Sequence, residues 1–176
     1  MIEGVADELV DFVDAADRPV SRGPRGRAAE QGLYYRVAAT VCGDRSGRVL
    51  VYQRPAGAAL FPGHYDVLVG GSVRAGESYL RAAARELEEE LGIRPVLREI
   101  FRTRHASPAG PCWLAVHLAE TDCPLRVDRR EVAWCAFLPP EQALDGTLRP
   151  FVPAGLAALQ RLAGPDHVPA GASPPG

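Results

Sequence analysis

The stretch GGSVRAGESYLRAAARELEEELGI, Gly70 to Ile93, constrains this chain more than any other, because it sets five glutamates into one short segment, three of them consecutive at Glu88, Glu89 and Glu90. Its second half has the period of a helix. On a helical wheel Leu80, Ala83, Ala84, Leu87 and Leu91 form one apolar stripe, which is expected to pack on a sheet. Glu86, Glu89 and Glu90 stand at i, i+3 and i+4, so their side chains converge on a neighbouring stripe. Like charges at that spacing repel, by a few tenths of a kcal/mol per pair at a surface and by more in a cleft. Arg81 and Arg85 are the cations of the helix, and Arg85 has both Glu89, one turn on, and Glu77 within reach. One arginine does not neutralise three glutamates. A hard divalent cation does, since Mg²⁺ takes carboxylate oxygens at about 2.1 Å, keeps several waters and shares phosphate oxygens. The competing reading is a solvated acidic face, the ordinary fate of a charge run.

The spacing decides between them. Counting from Gly71, the segment fills Gx5Ex7REUxEExGU, with U an apolar residue, at Gly71, Glu77, Arg85, Glu86, Leu87, Glu89, Glu90, Gly92 and Ile93. This pattern is the Nudix box, and in it the chain resembles the Nudix hydrolases. The resemblance implies that Glu86, Glu89 and Glu90 bind a divalent metal, that Gly71 adds its carbonyl, and that Glu77 with Arg85 holds the loop against the helix. The glycines have geometric tasks of their own: Gly70 and Gly71 are expected to turn the backbone sharply and approach a ligand, Gly76 to ease entry into the helix, and Gly92 to cap it.

With 176 residues, 47% of them hydrophobic and 24% charged, the chain suits one domain with a sizeable core, placed at residues 1–164. A net charge of -2 gives no basic field for a nucleic acid polymer or an anionic membrane. Cys42, Cys112, Cys123 and Cys135 form no CxxC pair, and the first residues are acidic where a secretory leader would be basic, so reduced thiols in a cytoplasmic protein are expected. No apolar run approaches the length of about 18 residues that crosses a bilayer.

Along the chain, residues 8–22 read as a β-hairpin, and RGRAAEQ reads as a short helix that begins at Pro24 and stops at Gly32. LYYRVAATVC and RVLVYQRP flank GDRSG as a hairpin, VLVGG is a short buried strand, and PVLREIFRTR, PCWLAVHLAE and EVAWCAFLP are three more strands. A short helix opens at Pro139 and Pro140, an amphipathic helix covers Phe151–Leu162, and residues 165–176 are too poor in apolar surface to order. The fold class expected is α/β: a Nudix α/β/α sandwich with a mixed β-sheet, extended by the N-terminal β-hairpin.

Beyond the box, the order of elements is similar to that of the YfcD-type subgroup, which is related to type I isopentenyl diphosphate isomerase. The isomerase needs a cysteine acid/base, a histidine-rich metal site and a Glu-x-Glu on a later strand. This chain has Gly70 at the cysteine position, and Ala28, Tyr35 and Ser72 at histidine positions. A non-catalytic nucleotide-binding module is a third reading, against which the intact box argues. The resemblance therefore implies hydrolysis of a diphosphate bond, with Mg²⁺, or Mn²⁺ in its place, activating a water. Glu86 or Glu131, the latter just before a strand, is the general base. The bland reading of Glu131 is a rim carboxylate paired with Arg129 or Arg130. Arg54 and Phe61, with Tyr52 and His64, are expected to bind the substrate, a small organic diphosphate. The histidines at 64, 105, 117 and 167 read as structural or solvent-exposed rather than as metal ligands, Trp113 and Trp134 as core, and the chain as monomer or homodimer, the hairpin edge offering a joint.

Overall fold

In the computed structural model, which describes residues 8–164, the N-terminal run forms β1 (Leu9–Val13) and β2 (Pro19–Pro24), paired antiparallel. The expected helix after Pro24 is replaced by two 3₁₀ turns, Arg25–Arg27 and Ala29–Gln31, ended by Gly32 at φ 67°. With Gly26 inside it and no side-chain cap, the segment is too short to propagate an α-helix. The remaining strands are β3 (Tyr35–Gly43), β4 (Val49–Gln53), β5 (Tyr65–Asp66), β6 (Leu68–Ser72), β7 (Leu97–Ser107), β8 (Gly110–Glu120) and β9 (Trp134–Leu138). Three helices complete the described residues: α1 (Tyr79–Leu91), α2 (Pro140–Leu144) and α3 (Pro153–Ala163). The tail at 165–176 lies outside the described residues.

The sheet branches at one point. β8 runs parallel to β3 along its whole length, Tyr35 to Gly43, and so occupies one edge of it. On the other edge β3 pairs with β6 from Val37 to Val41 and with β4 only at Gly43 opposite Val49. The hairpin read across GDRSG is therefore a turn whose strands part at once. Asp44 ties that turn by accepting from the Ser46 and Arg48 amides at 2.9 Å each, while β4 goes on to pair with β5 and β9. A gap opens between β6 and β4, closed at its base by the buried Tyr52, whose hydroxyl donates to the Leu68 carbonyl at 2.8 Å.

Alternation along β3 divides the core. Val41 and Ala39 join Val116, Leu114, Val67, Ala158 and Leu159 under α3, whereas Ala38 and Cys42 meet Ala115, Val69, Leu87 and Leu91 under α1. Helices thus cover both faces, giving the α/β/α sandwich. The buried stripe of α1 is Tyr79, Ala82, Ala83, Leu87 and Leu91; Leu80 and Ala84 face solvent. The stripe is rotated from the expected one because Tyr79 is drawn inward: its hydroxyl meets Asp17 at 3.1 Å and Arg102 stacks on its ring at 4.1 Å. Trp113, expected in the core, is half-buried at the margin of the α1-side cluster, its indole N–H donating to the Asp14 carbonyl at 3.2 Å. Trp134 is not core: it is 39% exposed at the sheet edge, edge-on to Tyr65 at 5.9 Å.

The hairpin is latched to the sandwich through its turn. Asp17, at φ 61°, accepts from Arg36 Nε and Arg102 Nη1, both at 2.6 Å, and its carbonyl takes Arg36 Nη2. Asp17→Ala is expected to cost about 2–3 kcal/mol, since it strands two cations, one of them half-buried. Urea unfolding checks this, and a change below about 0.5 kcal/mol would show the latch to be idle.

Candidate active site

Ser78 begins α1 by accepting from the Arg81 amide at 3.3 Å, and Gly92, at φ 67°, ends it. The chain after α1 returns to cover that end: the Arg126 and Asp128 amides donate to the Leu91 and Glu90 carbonyls, at 2.8 Å each. This return docks the 128–131 turn beside Glu90. One helix therefore presents Glu86, Glu89 and Glu90 between β6 on one side and the Glu131 turn on the other.

Arg85 is the hub of the box. Its Nε and Nη2 donate to the two Glu77 oxygens at 3.1 and 3.0 Å, Nη2 also to the Ser72 carbonyl at 3.0 Å, and Nη1 to Glu86 and, at 3.4 Å, to Glu89. Glu77 in turn accepts from the Arg74 amide at 3.0 Å. Burial alone would raise the Glu77 carboxyl, but these donors bring it below the usual carboxylate range. The N-terminal hairpin completes the loop: Asp11 accepts from the Gly76 amide at 2.7 Å, the Ala75 amide donates to Leu9, and Glu8 holds Arg74 at 3.2 Å.

Gly70 and Gly71 do not turn; both lie within β6. A Cβ at Gly70 would stand 2.6 Å from Ala39 Cα, so the glycine lets β6 approach β3. A Cβ at Gly71 would stand 2.7 Å from Glu86 Oε1, so this glycine makes room for the carboxylate. No residue with a side chain fits at Gly70 without parting the two strands.

The carboxylates differ in their surroundings. Glu86 is raised by burial, with Arg85 opposing and Glu89 adding to it. Glu90 is raised well above the usual range, by burial first and then by Glu86 and Glu131, with Arg54 opposing and Asp66 adding. Among the described residues the Glu90 carboxylate makes no hydrogen bond and no ion pair. Glu131 is exposed and unpaired there too, because Arg130 goes to Asp128 at 2.7 Å and Arg129 to the Ala133 carbonyl at 3.0 Å. The expected partners of Glu131 are thus spent elsewhere.

On the substrate side, Arg54 donates to the Leu60 carbonyl at 2.9 Å and to Tyr52 at 3.4 Å. Phe61, at φ 52°, is half-buried with its ring 5.4 Å from that of His64. Tyr52, expected at the mouth, is buried core. His117 is buried with one ring nitrogen 3.3 Å from the Ala39 carbonyl, a structural histidine as read.

Asp66 was not singled out in the sequence, although a carboxylate directly before VLVGG was a visible signal. It is buried, accepts from the Val67 and Leu68 amides at 2.8 and 3.1 Å, and packs where α3 presents Gly155. Burial pushes its carboxyl up to about 6, against those amides and Arg54. A raised folded-state value means that the protonated form is the stabilised one, so the contribution is full below about pH 4 and fades as pH rises through 6. The stability of the native protein relative to Asp66→Asn is expected to fall over that window. Melting curves at pH 4, 5, 6 and 7 check it, and a constant difference would refute it.

A family model described as the NUDIX domain matches residues 33–159. The chain belongs to the Nudix family. It is 41% identical to the uncharacterized Nudix hydrolase PA4841 of Pseudomonas aeruginosa, over 87% of this chain and 92% of that one. It is 31% identical to the uncharacterized Nudix hydrolase YfcD of Escherichia coli K12, over 86% and 84%. DR0079 of Deinococcus radiodurans shares the fold with a TM-score of 0.73 at 23% identity, covering 89% of this chain and all of that one. The NUDIX domain of Shewanella oneidensis NrtR, solved in complex with ADP ribose, has a TM-score of 0.61 at 17% identity, over 73% and 85%. As a Nudix hydrolase the chain acts on phosphorus-containing acid anhydrides.

Nudix hydrolases generally use divalent cations, and the donors here suit one. Among the described residues no three acidic, histidine or cysteine side chains form a closed cage, because Arg85 draws Glu86 and Glu89 to itself. Yet the oxygens of Glu86, Glu89 and Glu90 are hard donors from one helix, and Glu90 is half-buried with nothing among the described residues to balance a negative charge on it. A cation is the complement that this arrangement wants.

Proposed function

We propose that the chain is a Mg²⁺-dependent pyrophosphohydrolase that cleaves the diphosphate bond of a nucleoside diphosphate linked to another moiety, or of a related organic diphosphate. Glu86, Glu89, Glu90 and the Gly71 carbonyl hold the cation, with Mn²⁺ as a substitute. When bound, the cation lowers the pKa of water and offsets charge on the phosphate oxygens. Glu131, exposed and unpaired next to Glu90, accepts the proton of the attacking water; Glu86 is the second candidate for that role. The water oxygen bonds to one phosphorus, the bond from that phosphorus to the bridging oxygen breaks, and the other phosphoryl group leaves with the bridging oxygen. Glu77 and Arg85 keep the loop and helix in register, and Arg54 and Phe61 contact the substrate.

The observation that carries this reading is the unbalanced Glu90 carboxylate flanked by Glu86, Glu131 and Asp66. The ADP ribose held by the NrtR domain supports the nucleoside diphosphate class. The free state of Cys42, Cys112, Cys123 and Cys135 supports a reducing cytoplasm. Product release from a panel of nucleoside diphosphate derivatives and triphosphates with Mg²⁺ tests it. Turnover of at least one member, lost with chelator, is expected; binding without turnover across the panel would point to a non-catalytic module instead.

A further inference from the structure

Four arginines among the described residues are half-buried: Arg25, Arg36, Arg54 and Arg85. Two of them serve carboxylates, Arg36 at Asp17 and Arg85 at Glu77, Glu86 and Glu89. Arg54 and Arg25 make no ion pair among the described residues. A half-buried cation without a counter-ion is costly unless a ligand brings one.

Arg25 enters from the N-terminal extension and is firmly placed. Its amide donates to the Glu8 carbonyl at 2.9 Å, its guanidinium lies 5.5 Å from the Tyr35 ring centre, and Nη1 donates to Ser72 Oγ at 3.2 Å. Ser72 follows Gly71, against which the Glu86 carboxylate stands, and the Ser72 carbonyl is the one held by Arg85. Arg25 therefore adjoins β6 at its Ser72 end, and Arg54 at its Leu68 end, through Tyr52. The two ends are about 13 Å apart, four residues at the rise of a strand. A guanidinium has five N–H donors in a planar fork that matches phosphate oxygens, and Ser72 takes one of the Arg25 set.

We infer that Arg25 binds a phosphoryl group of the substrate at the Ser72 end of the cleft, so that the ligand is an organic diphosphate lying along the free edge of β6. The inference rests on the hydrolase reading above and adds a binding residue from outside the Nudix box.

Calorimetric titration with methylenediphosphonate in Mg²⁺ tests it on the full chain, comparing the native protein with Arg25→Gln and Arg25→Met. Glutamine keeps a donor for Ser72 and removes the charge, so a fold defect in the methionine variant does not blur the result. Both variants are expected to bind about 10- to 100-fold more weakly, as loss of a charge-assisted hydrogen bond implies. With a turned-over substrate, KM rises while kcat stays close to native. A folded Arg25→Gln protein with native affinity would overturn the role of Arg25 and leave the hydrolase reading intact. Failure of the native protein to take up the diphosphonate would overturn both.

Discussion

Glu90→Gln is expected to lower kcat by about 10²- to 10³-fold or more, and at the same time to raise the melting temperature of the metal-free protein. The two effects have one cause. The Glu90 carboxyl is half-buried, unpaired among the described residues and surrounded by Glu86, Glu131 and Asp66, so keeping it ionised, or taking up a proton to neutralise it, costs the fold free energy in the absence of a cation. Glutamine keeps the shape and removes the charge. Glu86→Gln should lose activity too, but with a smaller gain in stability, because burial raises the Glu86 carboxyl against the opposing pull of Arg85, and Arg85 keeps Glu77 and Glu89 as partners. Steady-state kinetics beside thermal melts in chelator separate the cases. Destabilisation by Glu90→Gln would mean that Glu90 has a partner in solution and is not waiting for one.

Gly70→Ala is expected to be strongly disruptive, costing about 3 kcal/mol or more and most of the activity. The added Cβ would fall 2.6 Å from Ala39 Cα in β3, against backbone that has nowhere to go because β8 backs it on the far edge. β6 must lift away, carrying Gly71 and Ser72 out of register with Glu86 and Arg85. Chemical denaturation measures the cost. A tolerant Gly70→Ala protein would show that β6 sits further from β3.

Both results depend on features that differ in how far the sequence reveals them. The box residues were legible because their roles are local: helix spacing alone joins Glu86, Glu89 and Glu90, and the Glu77 to Arg85 contact spans one loop and two turns. Most strands of the sandwich were legible for a similar reason, as β-rich runs between loops containing Gly and Pro; β5, two residues long, was not. What the sequence concealed depends on distant partners. The rotation of α1 that exposes Leu80 follows from Asp17, 62 positions before Tyr79, which turns that tyrosine inward. The parting of β3 and β4 is set by β6 and β9 competing for their edges, which no hairpin signature records. Gly70 was read as a turn because glycine permits turns, although its use here is close strand packing. Arg25 looked like one charge among several in RGPRGR until the fold set it against Ser72.

The most direct test of the carboxylate cradle is Mn²⁺ binding, followed by electron paramagnetic resonance with methylenediphosphonate present. The native protein should take up the ion, and the Glu89→Gln, Glu90→Gln double variant should have lost it while remaining folded. Undiminished uptake by the double variant, or none by the native protein, would contradict the placement of the cation on these glutamates.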